Sequence, residues 1–568
     1  MLKRKILSVF LAVVFTVSLL TVLAVPSGAY TGVTIKGNGE ERFDDVRTAW
    51  CYAVYMSKRT GKEVLFKLNE DFNALTDKGK MTVGSNQYKY NKFDFGVNVR
   101  ERDIRVSDSD NFINAYRYGS LLIPSGAKIV LDLNGYTLNR KMSKQQDDGE
   151  VIHVEPGGTL TVRNSREWSG GITGGKSKDG AGGIHVRGTL IFQSGKIFDC
   201  ETNEHGGAIF LTDSGTVRMT GGSIVNCQTR DSGDDCNGGA VYVKSGTCRL
   251  SNCRIESCKS EDKGGAVYQK GGTLYCENVR FDGNYAKDEG GAVYLYEGNS
   301  SFTNCIFSGN STKGSSSGGA VYVNTSSKYR SVFTDCSILS NWGGAGAGMN
   351  VDDGQVDLIR CWFYDNYSNR DGGALYVNTD DGVNIIECEF THNQSEDEGG
   401  AVFVNDDRVV FSGVVMTSNR AINHGGAIYV DADYDLNIQG YCRILNNRSD
   451  KKHTANVALQ ETSSGNAYLY AGSLEEGSCI HIASTGSGEE KLTKSNNLSQ
   501  YQYAHYFVTD GSTSKLINLK ERSSPFITSV FSKSWSAALF CIGVAAVLGG
   551  AVCCIVIRKK KKGGASHD

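Results

Sequence analysis

The chain has 568 residues, of which 69 are glycine and only 4 are proline, a balance that excludes collagen and proline-rich disorder. Hydrophobic residues make up 39%, enough to bury a core over a length that suits several domains or one long repetitive one. The formal net charge of −2 includes two basic ends, so the body between them is acidic, which argues against a nucleic-acid partner because phosphate binding needs clustered Lys and Arg.

Residues 1–29 begin with Lys3, Arg4 and Lys5, continue through an uncharged stretch and end in Pro26, Ser27, Gly28 and Ala29. This pattern predicts a secretory signal with small residues before the cut; the alternative is an uncleaved anchor. Residues 30–120 are expected to supply an N-terminal cap and the first strands. Within them Phe43, Val46, Trp50 and Val54 recur near helical spacing, which predicts an amphipathic capping helix over 43–58.

Residues 121–455 carry an internal repeat. A Gly-Gly-Ala-aliphatic-aromatic phrase starts at Gly206, Gly238, Gly264, Gly290, Gly318, Gly372, Gly399 and Gly425, with degenerate copies at Gly182 and Gly346, and successive starts from Gly206 lie 26 to 32 residues apart. A second phrase, Cys-x-[Phe/Ile]-x-x-Asn, keeps the same period in another phase, as at Cys305, Phe307 and Asn310. Apolar residues alternate with period 2, as in Val241, Tyr242 and Val243, and glycine pairs disfavour helices. Repeats of two or three short strands cannot bury a face alone, so they stack by parallel pairing into a solenoid whose equivalent residues form columns about 4.8 Å apart. Asn284, Asn310, Asn341, Asn366, Asn393, Asn419 and Asn447 then make a buried, mutually hydrogen-bonded column with a structural role.

The GGA phrases and the Phe-x-x-Asn phrases at Phe281, Phe307, Phe363 and Phe390 resemble those of chlamydial polymorphic outer-membrane proteins. More broadly, the chain resembles right-handed parallel β-helix, pectin-lyase-like bacterial surface proteins. The resemblance implies an all-β, right-handed parallel β-helix. It departs from the polymorphic proteins at the C-terminus, where an apolar segment stands in place of an outer-membrane barrel, which favours a bacterium with a single membrane.

Residues 456–519 are less repetitive and read as a small C-terminal β cap with strands near 466–470, 479–482 and 506–508; residues 520–535 form a linker. Residues 536–557 hold no charge and are long enough to span a bilayer as one helix. The cations Arg558 to Lys562 within the 558–568 tail hold that end in the cytoplasm. The expectation is a single-pass cell-membrane protein with most of the chain outside.

Of 17 cysteines, Cys541, Cys553 and Cys554 lie in the apolar span. Cys253, Cys305, Cys336, Cys361, Cys388 and Cys442 share one column in which Val279 and Val414 substitute, the behaviour of a small buried hydrophobe. Free thiols are therefore expected, although stacked Cα atoms also fall within disulfide range.

Two columns point to function. If Val241 and Val243 face the core, alternation places Tyr242 outside, together with Phe210, Tyr268, Tyr294, Tyr322, Tyr376, Phe403 and Tyr429, interrupted by Asn350. Such a ladder can stack sugar rings or pack on a protein partner; the alternative is mutual stacking, or cover by the loop before each GGA phrase. The second column is the acid pairs Asp352 and Asp353, Asp380 and Asp381, and Asp406 and Asp407, which suit turns, a Ca²⁺ site, or catalysis. In the pectin-lyase-like proteins that the chain resembles, acids from adjacent coils bind calcium or act as acid and base. Arg408 is the one nearby basic group a lyase would need, and loop acids such as Glu396, Asp397 and Glu398 read as a solvated corner. The expected function is an adhesin-like, membrane-anchored scaffold binding host, cell-wall or glycan ligands, more a binding protein than an enzyme and without catalytic residues. A polysaccharide lyase or glycoside hydrolase is the alternative.

Overall fold

The computed structural model describes most of residues 32–73, 80–89 and 116–485, and the short strands Thr493–Lys494 and Phe507–Thr509. The leader at 1–29 and the apolar span at 536–557 lie outside the described residues. Among the described residues no helix is long and apolar enough to cross a membrane.

The repeats stack as about 13 coils of a parallel β-solenoid. A representative coil has four strands where two or three were expected: Val241–Val243, Thr247–Ser251, Arg254–Glu256 and Lys259–Ser260. Each pairs in parallel with its equivalent in the next coil, for example Val241 with Val267 and Ile255 with Phe281. Among the described residues, the second strands together with the N-terminal strands form a 17-stranded sheet, the first and third strands with short flanking ones join in a 29-stranded sheet, and the two-residue fourth strands form an 11-stranded one.

Single left-handed residues break the chain into such short pieces. Asn252 (φ 50°) ends the second strand, Ser257 (φ 55°) ends the third, and Gly264 (φ 65°) turns the chain into the next first strand. Asn, Asp, Ser and Gly tolerate this conformation best. After each of the first two corners a side chain turns inward, Cys253 and then Cys258, or Asn in later coils. The motif cysteines and asparagines are thus the first inward residues after a corner.

The inward residues form stacks along the axis. Phe281 lies 4.8 Å from Phe307, and Phe363 lies 4.7 Å from Phe390, both nearly parallel. The expected Asn column is present and closes its own hydrogen bonds. Asn341 Oδ1 accepts from the backbone N–H of Asn310 at 2.9 Å and from its Nδ2 at 3.0 Å, while Asn341 Nδ2 donates to Phe307 O at 3.1 Å and to Asn366 Oδ1 at 2.9 Å. The column extends one residue past Asn447, onto Asn456. The six cysteines of the motif column are buried free thiols; burial pushes the Cys253 thiol up to about 12.

At the N-terminal end the helix runs over Val46–Thr60, three residues later than expected at its start. Phe43 closes the strand Glu40–Phe43 instead. Trp50 is fully buried, packs edge-on against Phe66 at 5.0 Å and donates from Nε1 to Leu122 O at 3.0 Å. Strand Val33–Lys36 pairs antiparallel with Val64–Leu68, which itself pairs in parallel with the first full coil at Lys128–Asp132. Helix and antiparallel strand together cover the open end, which would otherwise template foreign strands. At the other end the strands Tyr468–Leu474 and Cys479–Ser484 continue the parallel ladders, so these closing strands are further coils.

Candidate functional site

The aromatic ladder is in register, as expected, but it is not a surface. Tyr242, Tyr268, Tyr294 and Tyr322 face one another across consecutive first strands, with centroids 5.0 to 5.2 Å apart and planes within 16°. Tyr376, Phe403 and Tyr429 form a second stack beyond Asn350. Tyr242 is 1% exposed and Tyr268 8%; Phe210, Tyr294, Phe403 and Tyr429 are also buried, and only Tyr322 and Tyr376 are half-buried. The expected outward exposure is corrected: the first strands are covered on both faces.

The cover comes from the residue before each glycine pair. His205 stacks on Tyr242 at 4.3 Å, and Lys263 Nζ lies 5.2 Å from the Tyr294 ring centre. Each loop reaches one coil forward because its glycines bond the next turn, as Gly264 N–H does to Glu289 O. Burial pushes the phenols of Tyr294, Tyr322 and Tyr429 well above their ordinary value.

The acid pairs split apart. A register shift between Val323 and Asn324 lets Asp352 accept from Asn324 Nδ2 at 3.0 Å and from Asn378 Nδ2 at 3.3 Å. Asp353 is exposed and accepts from the Gly354 N–H at 2.9 Å; its carboxyl is raised by partial burial and by neighbouring Asp381. Asp380 is exposed, and the Asp381 N–H donates to Thr379 Oγ1. Asp406 and Asp407 lie outside the described residues. Among the described residues, no group of three metal-ligating side chains converges on these pairs.

Acids do converge elsewhere. Asp371, Asp397 and Glu398, from the loops before two successive glycine pairs, bring one carboxylate oxygen each within 4.8 Å of the others. The Asp397 and Glu398 side chains are half-buried, so this corner is less solvated than its composition suggests. Burial, reinforced by Asp397 and Asp371, pushes the Glu398 carboxyl up to about 7. Burial also raises Asp371.

The family model for a right handed beta helix region matches residues 150–344. The chain is a right-handed parallel β-helix. No curated protein and no solved structure matches it. The matched residues cover the early coils of the β-helix, and the same four-strand coil continues without a break beyond residue 344.

The pairing also places aromatic side chains that motif reading missed on the outside of the β-helix. Trp342 and Tyr367 face each other across adjacent fourth strands, and Trp342 is 38% exposed. Around the corner, Trp362 and Tyr364 project from one third strand with centroids 5.0 Å apart. Trp362 Nε1 donates to Thr391 Oγ1 at 3.0 Å, and Tyr364 lies 5.4 Å from the exposed His392 ring. The signal was present in the alternation of Trp362, Phe363 and Tyr364: if Phe363 faces the core, both flanking rings must face out.

A pH test follows from Glu398. An unfolded glutamate titrates near 4.5, whereas this one titrates near 7 in the fold. Between those values the folded state holds the extra proton, so stability falls as pH rises through this window and is level above it. Thermal melts of the wild type should lose more stability from pH 5 to pH 8 than melts of Glu398→Gln. Parallel curves would remove Glu398 as the source.

Proposed function

We propose that the protein is a surface-displayed binding scaffold of adhesin type, exported by its leader, held at a cell membrane by the 536–557 span and engaging glycans through its outer face. The observation that supports this reading is the aromatic corner of Trp342, Trp362, Tyr364 and Tyr367, the exposed and half-exposed rings described above. Aromatic faces stack on sugar rings, and the exposed Asp365 and Glu396 nearby offer partners for sugar hydroxyls. Tyr367 Oη bonds Glu396, and Asp365 Oδ2 accepts from Ser340 Oγ at 3.0 Å. The ligand surface expected from the sequence, the Tyr242 to Tyr429 ladder, lies on the first strands and serves here as internal stiffening, whereas the corner lies on the third and fourth strands.

Glycan-array binding by the full-length protein is expected to drop at least tenfold in Trp342→Ala with Trp362→Ala. Tyr275→Ala, a 38% exposed aromatic that packs its ring under Arg249 on the second-strand sheet, should leave it unchanged. Retained binding in the double variant, or binding only to proteins, would remove the glycan reading.

The second reading, a polysaccharide lyase or glycoside hydrolase of the pectin-lyase-like superfamily, is favoured by one observation, the Asp371, Asp397 and Glu398 cluster. A carboxyl near 7 beside ionisable partners is the arrangement general acid catalysis uses. Release of reducing or unsaturated sugar ends, abolished by Glu398→Gln, would establish it over the binding reading.

A further inference from the structure

The first coils hold two imidazoles and a carboxylate side by side. His153 and His185 occupy the two positions that precede Phe210 in the aromatic column, in register on adjacent strands. Their centroids are 4.6 Å apart and their rings nearly edge-on. Glu150 stands on the turn into the His153 strand, and its Oε1 lies 2.8 Å from His153 Nδ1. One ligand atom from each of the three side chains lies within 4.8 Å of the other two. Glu150 and His153 are at most 1% exposed, and His185 is half-buried.

An ion pair alone leaves this group short of partners. Glu150 Oε2 and His153 Nε2 are buried and make no hydrogen bond, although Glu155 Oε1 stands 3.5 Å from that nitrogen. Outer groups already orient the three. Buried Arg140 donates to Asp148 O at 2.9 Å and to Glu150 O, Thr212 Oγ1 lies 3.2 Å from His185 Nε2, and Arg187 anchors Glu155 at 3.1 Å.

We propose that Glu150, His153 and His185 form a binding site for a divalent transition metal of the zinc type, with one coordination position left for water or a ligand oxygen. Two imidazole nitrogens and one carboxylate oxygen suit Zn²⁺ rather than Ca²⁺ or Mg²⁺, which take oxygen ligands. Tetrahedral bonds of about 2.0–2.2 Å set donors roughly 3.4 Å apart, so side-chain rotations within the observed spread suffice. The metal would satisfy the unmatched Glu150 oxygen, with Glu155 and Thr212 as the outer partners that hold the imidazoles.

The test uses the full-length protein, stripped with chelator, reloaded with Zn²⁺ and desalted. Wild type is expected to retain one more zinc per chain than His185→Ala, to gain thermal stability on loading that this variant lacks, and to show tetrahedral Co²⁺ absorption that Glu150→Gln loses. His185 is half-buried, so its variant should fold; if circular dichroism shows otherwise, His185→Asn replaces it. Equal zinc in wild type and variant, or a Co²⁺ spectrum unaffected by Glu150→Gln, overturns the proposal.

Discussion

Replacing Asn341 by alanine is expected to destabilise the solenoid by about 3–5 kcal/mol, because it removes hydrogen bonds from four buried groups at once. The Asn310 N–H and Nδ2 lose their shared acceptor, and Phe307 O and Asn366 Oδ1 each lose a donor. None of the four can turn to solvent: Asn310, Phe307 and Asn366 are fully buried. Asn341→Asp should fare no better, since it keeps the acceptor but buries a charge and removes both donated bonds. Because coils interact with their neighbours alone, the loss should open coils on either side first, so hydrogen exchange near 310 and 366 should accelerate before global unfolding. Lys313→Ala, on an exposed turn after the fourth strand of the preceding coil, should change stability by less than about 0.5 kcal/mol. A denaturant midpoint for Asn341→Ala within error of the Lys313→Ala control would sink the claim that the column carries load between coils.

Gly291→Ala is expected to yield little or no folded protein. A Cβ at this position would stand 2.0 Å from Gly319 O and 2.5 Å from Ser311 O. Both are backbone atoms, Gly319 O of the next coil and Ser311 O of the fourth strand of the same coil, so no side chain can rotate to make room. Moving the backbone would break the bond from the Gly291 N–H to Gly318 O at 3.0 Å and shift every coil stacked above. The same clash recurs at Gly265, Gly373 and Gly400, which explains why the second glycine of the phrase is kept while its following residues vary among Ile, Val and Leu. Gly283 provides the contrast. It is left-handed (φ 59°), but a Cβ there meets nothing within 4 Å, so Gly283→Asn should be tolerated to within about 1 kcal/mol. Comparable soluble yield and melting temperature for Gly291→Ala and Gly283→Asn would refute this division of the glycines.

Much of this architecture was legible in the chain because a solenoid repeats its local problem. Every coil must turn in the same places and fill the same positions, so Gly206 through Gly425 and Asn284 through Asn447 announce period, parallel stacking and the inward face. What remained illegible was relational. The corner residues before Cys and Asn vary among Asn, Asp, Ser, Arg, Glu and His, as at Asp335, Arg360 and His392, and share a backbone conformation rather than a side chain. No motif marks them, so the sequence alone shows fewer than four strands per coil.

The candidate sites divide along the same line. Alternation correctly put Tyr242 on the opposite side of its strand from Val241 and Val243, but alternation knows nothing of what lies over that side. The loops ending in His205 and Lys263 fold onto the ladder one coil ahead, a contact set by the inter-coil hydrogen bonds of the glycine pairs. Likewise, neighbouring acids in the chain separate, as Asp352 and Asp353 do, while Asp371 and Glu398 meet from different coils.

What the order of amino acids determined alone is therefore periodic: the length of each turn of the solenoid, the identity of its inward columns and the parallel stacking that follows from a face too small to be buried singly. Which of the remaining side chains reach water, and which acids and imidazoles become neighbours, was decided only by tertiary structure. Register fixes who stands beside whom along a ladder, but exposure and charge coupling depend on loops that cross between coils, and no periodicity in the chain encodes that crossing.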